Sequence, residues 1–134
     1  MADKILLEVV TPERKVLSER VDIVVAPGTE GEFGVLPNHV PFLSTLKVGE
    51  LRFRLGSTLR HIAIMGGYAE VLPDRVTVLS PAAEEATEID VVRAKAARER
   101  AERRIAEAKD RIEFVQAQAA LQRALARLKV VERR

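Results

Sequence analysis

Leu79-Ser80-Pro81-Ala82-Ala83-Glu84-Glu85-Ala86-Thr87-Glu88-Ile89-Asp90 is the stretch where the chain changes character. All seven glycines and all six prolines of the 134 residues lie before residue 82, and from Ala82 to Arg134 there is neither. Glycine supplies turn conformations and proline interrupts hydrogen-bond ladders, and both are costly inside helices. The switch predicts a boundary between a turn-rich domain, residues 1–83, and a helical domain, residues 84–134.

Upstream of the boundary the chain reads as short strands. Ile5–Val10, Val21–Ala26, Glu50–Leu55, Arg60–Met65 and Arg75–Leu79 are β-branched or alternate apolar with polar. Thr11-Pro12, Pro27-Gly28, Gly66-Gly67 and Pro73-Asp74 supply turn or bulge signals between them. Short strands at this spacing predict an antiparallel β-sandwich, a mixed fold of β then α once the tail is added.

Downstream the period changes. Ala94, Ala97, Ala101, Ile105, Ala108, Ile112 and Val115 step by three and four, and Phe114, Ala117, Leu121, Ala124 and Leu128 continue at that spacing. Thr87 is the expected N-cap of a first helix, with Asp90 three residues on, and Asp110 with Glu113 repeats the pattern. No breaker stands between Ala106 and Asp110. The tail therefore fits either a two-helix hairpin or one rod, about 66 Å long from Glu88 to Val131 at 1.5 Å per residue. Alanine along the seam buries little area, so a hairpin would be weakly held and able to extend.

Composition excludes several functions. There is no cysteine, which removes disulfides and thiolate metal sites. The net charge of +2 and 4% aromatic content give no case for nucleic acid. No apolar run approaches the roughly 20 residues of a membrane span, and the first ten residues carry no secretory or transit pattern, so direct membrane insertion is not expected. Glycines 28, 31 and 34 precede no Lys-Ser/Thr and no helix, unlike a phosphate loop. His39 and His61, the only histidines, make no zinc set without further ligands. No nucleophile, base and orienting acid fall into a catalytic pattern, so no catalytic residue is assigned.

The arginines carry the sharper signal. Arg93 and Arg100 are seven apart, and Arg123 and Arg127 four apart, so each pair shares a helix face. In an antiparallel hairpin the four guanidinium groups would converge and repel, and a polyphosphate would cancel that repulsion. The same run interleaves Glu99, Glu102 and Glu107, as a solvated, salt-bridged helix would. Asp90 likewise suits a plain helix cap. A sandwich with a coiled-coil tail, acting as a stand-alone protein-interaction module, is the alternative these residues leave open.

Gly31-Glu32-Phe33-Gly34-Val35-Leu36-Pro37-Asn38-His39-Val40-Pro41-Phe42 resembles the signature loop of the F-type ATP synthase epsilon subunit. Gly66-Gly67-Tyr68-Ala69-Glu70-Val71 is similar to a second segment of that family, and Ile89–Arg104 to the start of its helical domain. The resemblance runs nearly the whole chain. It implies a sandwich of about ten strands followed by two helices, in a non-catalytic central-stalk subunit of a proton-translocating synthase. The implied partners are the gamma subunit, the membrane c-ring and, when the tail extends, the alpha/beta catalytic hexamer, whose ATP hydrolysis the tail blocks. The implied location is the cytoplasmic face of a bacterial plasma membrane, held peripherally. Glu32 and His39 match the region near the ring and gamma. Some members bind ATP between the helices through an Ile/Leu-Asp-x-x-Arg-Ala motif, present here as Ile89, Asp90, Arg93 and Ala94, with supporting positions at Glu84, Arg100, Arg123 and Arg127. ATP, with magnesium as a possible companion, is thus the implied regulatory ligand.

Overall fold

The computed structural model describes residues 3–133. Eight strands precede two helices: β1 Ile5–Val10, β2 Lys15–Val21, β3 Ile23–Gly28, β4 Gly31–Val35, β5 Phe42–Leu55, β6 Thr58–Leu72, β7 Arg75–Leu79, β8 Ala83–Glu85, α1 Val91–Glu107 and α2 Arg111–Val131. The strand order is β2-β1-β7-β6-β5-β3-β4, with β8 added to β6. All pairings are antiparallel except β1 with β7, which is parallel, so the sheet is mixed where an antiparallel one was expected.

The expected ten strands appear as eight because β5 and β6 are long. Leu46 pairs with Gly67 and Val48 with Met65, so Lys47 and Gly66 drop out of the ladder there. Gly66 and Gly67 hold φ of 85° and 113°, which only glycine adopts at little cost. The ribbon turns at this point. Beyond the bend β6 pairs with β7, and before it with β8. The Gly66-Gly67 signal thus marks a bend inside a strand instead of a turn between strands.

One apolar core fills the space between the layers. It draws Ile5, Leu7 and Val9 from β1, Leu51 and Phe53 from β5, Ile62 and Ile64 from β6 and Val76 and Val78 from β7. His61–Met65 is buried at every position because both faces of β6 are covered there. Ile62 and Ile64 point into the sandwich core, while Ala63 and Met65 belong to a second, smaller core with Ala86, Ile89, Ala94, Ala126 and Val130.

The helical domain is a hairpin. The chain leaves β8 through a 3-10 turn, Ala86–Glu88, and α1 starts at Asp90, whose carboxylate accepts the Arg93 amide at 3.1 Å. Thr87, the expected cap, is exposed inside that turn. A proper N-cap must hold extended backbone just before the first helical residue, and Asp90 does so. Asp110 caps α2 as expected: it accepts the Glu113 amide at 2.8 Å, and Glu113 accepts the Lys109 amide at 2.9 Å. That reciprocal cap creates the break that no glycine or proline supplies. Ala94 and Ala101 face Ala117 and Ala124 in the seam, whereas Ile112 and Val115, in phase with the first stripe, are 70% and 51% exposed. The C-terminal half of α2 packs on β5 and β6.

Candidate functional site

A cleft of about 400 Å³ opens where α1, α2 and β8 meet, lined by Glu84, Asp90, Arg93, Ala94, Ala97, Arg100, Ala124 and Arg127. Local structure explains each contribution. Ile89, 4% exposed, plugs the smaller core and anchors the helix start. Asp90 caps α1, and the cap places Arg93 in its first turn. Arg100 follows seven residues later on the same face. Ala94, Ala97 and Ala124 have side chains too short to fill the gap between the helices, so the helices approach closely and still leave a floor.

The charges in the cleft are unbalanced. Arg127 Nε donates to Glu84 Oε1 at 2.5 Å. The guanidinium groups of Arg93 and Arg100 have no ion-pair partner among the described residues. The cleft is thus cationic at one end and half-neutralised at the other, with a volume in the range of small-molecule sites. Guanidinium groups so placed have the chemistry to meet an anion with charge-assisted, bidentate hydrogen bonds. Of the residues singled out from the sequence, Glu84, Asp90, Arg93, Ala94, Arg100 and Arg127 line the cleft, and Ile89 lies beneath it. Arg123, one turn before Arg127 on α2, is exposed and is not among the lining residues.

Glu32 and His39 are engaged separately. Glu32, at the start of β4, accepts Arg52 Nη1 at 2.7 Å and Nη2 at 3.4 Å. The Arg52 hydrogen bond holds its carboxyl below the ordinary 4.5, and the charges of Lys129 and Lys47 act the same way. His39 Nδ1 lies 2.7 Å from the Val40 carbonyl oxygen, and its ring is 5.2 Å from that of Phe42.

A second, larger cleft of about 870 Å³ under α2 was not legible in advance. Its floor holds the buried side chains of Glu50 and His61, with Glu50 Oε2 3.1 Å from His61 Nδ1. Arg52 Nη1 and Arg133 Nε stand 3.6 Å from the same carboxylate. The available signal was a carboxylate at an outward position of a strand whose partner strand reads as a continuous apolar run.

Residues 4–86 match the family described as "ATP synthase, Delta/Epsilon chain, beta-sandwich domain", and residues 87–132 its "long alpha-helix domain". The chain is 80% identical over 133 residues to the ATP synthase epsilon chain of Syntrophobacter fumaroxidans, covering 99% of both. It is 52% identical over 130 residues to that of Nitratidesulfovibrio vulgaris, covering 97% of both. A chain in the Euglena gracilis mitochondrial ATP synthase superposes with a TM-score of 0.83 at 25% identity, over 98% of this chain and 83% of that one. A chain of the Tetrahymena thermophila mitochondrial central stalk and c-ring structure shares the fold, with a TM-score of 0.65 at 15% identity. Two domain families matched end to end, in the order in which sandwich and hairpin occur, place this chain in the ATP synthase delta/epsilon chain family, among its epsilon chains.

Proposed function

We propose that the chain is a non-catalytic central-stalk subunit of a proton-translocating F-type ATP synthase, in which the sandwich joins the gamma subunit to the c-ring and the helical tail restrains ATP hydrolysis. The rotor role is supported by the likeness to chains in structures titled as F1/c-ring and central stalk assemblies. Among the described residues no helix is long and apolar enough to cross a membrane, which suits attachment through partners at the cytoplasmic face. Glu32 and His39 belong, on this reading, to the part of the sandwich near the ring.

The regulatory part rests on one observation: the unpaired Arg93 and Arg100 guanidinium groups face a cleft closed by Arg127. ATP fits this chemistry. Its phosphates would meet Arg93, Arg100 and Arg127, with Arg123 adding field strength, and would hold α1 against α2. Bound at 100 times its dissociation constant, it would favour the hairpin by about 2.7 kcal/mol. The alanine seam makes that sufficient to choose between a docked and an extended tail. When ATP falls, the extended basic tail reaches acidic surfaces of the alpha/beta hexamer and blocks hydrolysis. Magnesium can accompany the phosphates, with Glu84 and Asp90 the carboxylates among the residues lining the cleft. Titration calorimetry tests the reading: Arg93→Ala and Arg127→Ala should each weaken ATP binding at least tenfold. Unchanged affinity in both would remove the phosphate clamp.

A further inference from the structure

Three residues stand side by side across three strands on the face beneath α2. Glu50 of β5 pairs with Ala63 of β6, and Ala63 pairs with Glu84 of β8. Paired residues point to the same side of a sheet, so two carboxylates flank one alanine. Two strand spacings separate them, about 10 Å. Arg127 of α2 pairs with Glu84, and Arg133, two residues past the end of α2, pairs with Glu50. Glu132 keeps helical backbone and the Arg133 amide bonds the Val130 carbonyl, so the six-residue step from Arg127 spans about 9 Å at near-helical rise. The two spacings agree, and Val130, fully buried between the two arginines, shares a core with Ala63.

From this match we infer that the rung Glu50–Ala63–Glu84 is a two-point register for α2, and that Glu50 is its ligand-independent anchor. Only one point belongs to the cationic cleft. Arg127 lines it and is available to a phosphate ligand, while Arg133 lies outside it. Glu50 is fitted to hold on. Its side chain is 2% exposed, and His61 orients it from the neighbouring strand. Docking α2 covers this carboxylate, and Arg133 supplies charge that offsets its desolvation; without Arg133 the docked form holds an under-compensated carboxylate, which favours lifting α2 away. Arg133 is half-exposed, so the effect is smaller than for a fully buried pair. A ligand that draws Arg127 from Glu84 therefore leaves the end of α2 fastened. The inference rests on the proposed function only in taking the tail to have an undocked shape.

The test uses the full chain, first without nucleotide. Because the sequence has no cysteine, Ser57→Cys on the β5–β6 turn and Gln118→Cys on α2 give one label pair for distance measurement. Arg133→Gln should raise the undocked fraction about fivefold, and the same change made in a Glu50→Gln background should have no further effect. Arg133→Lys should restore part of the loss. Arg133→Gln leaves Glu50 with His61 and Arg52, so slow amide exchange in β1 and β7 confirms an intact sandwich even if Glu50→Gln perturbs it. An unchanged undocked fraction in Arg133→Gln, or an equal rise when that change is made in the Glu50→Gln background, would overturn the anchor. ATP is then added. It should shift the parent and Glu50→Gln by the same factor. Loss of the nucleotide shift in the parent would remove the clamp reading and leave the anchor result standing.

Discussion

At Gly67 the backbone holds φ at +113°, and a Cβ built there would sit 2.0 Å from the Leu79 carbonyl oxygen. No rotamer relieves a clash with backbone, so Gly67→Ala should cost about 3 kcal/mol in chemical denaturation. Gly31 also has positive φ but faces open space, so the same change there should cost less. The sequence announced Gly66-Gly67 as punctuation but not its kind, because a turn and a bent strand ask the same of the backbone. The cleft was more legible. Spacing shows only that each arginine pair shares a helix face; the Ile89–Ala94 motif and Glu84 follow from the family resemblance, and the structure gives the motif its local roles of plug, cap, charge and close contact. Arg123 stands outside the cleft lining: sharing a face with Arg127 says which way it leans, not whether α1 lies opposite. Glu50 and His61 were invisible, since a pair 11 residues apart meets only through strand register.

Between α1 and α2 the break depends on side chains. Asp110 accepts the Glu113 amide of α2 and Glu113 the Lys109 amide of the loop, while extended Ala108 closes α1 on the Ile105 carbonyl. Asp110→Ala should cost about 1 kcal/mol of hairpin stability and move the tail toward extension, read as a longer distance between labels on α1 and α2. An unchanged distance would mean that the alanine seam alone sets the hairpin. The strands show how tertiary context erased local signals. Ile5–Val10 and Arg75–Leu79 were found at their observed bounds because the first is a nearly continuous apolar run and the second alternates around Val76 and Val78, each ended by a turn signal. Lys15–Val21 and Gly31–Val35 were missed: glycine and charge dominate them, and their pairing comes from neighbours. The hairpin and the rod could not be separated by reading, because both satisfy the same period.

Across the whole molecule the two cores differ in kind. The sandwich core is built from Ile, Leu, Val and Phe, each contributing about 1.5–3 kcal/mol when buried. The interface with the hairpin is largely alanine. A chain ending at Glu88 should therefore still unfold cooperatively, with slow exchange in β1 and β7, while exposing Ala63 and Met65. Three ion-paired carboxyls contribute to its acid response. Lys15 holds Glu8, Lys4 holds Asp22 and Arg52 holds Glu32 below their ordinary values. With folded pKa values depressed, the unfolded chain binds more protons in acid, so the stability from these pairs is complete above the ordinary carboxylate range and is lost as pH falls below about 4.5. Tm should fall in that window, and less steeply in Arg52→Ala. One last consequence follows from Ile112 and Val115, which lie in water in the folded-back tail. Each stands 18 residues beyond Ala94 or Ala97, five whole turns of an unbroken helix. Straightening the tail would align them into a single oily ribbon. The folded-back form is then the less adhesive of the two, and solutions rich in the straight form should scatter more light as concentration rises.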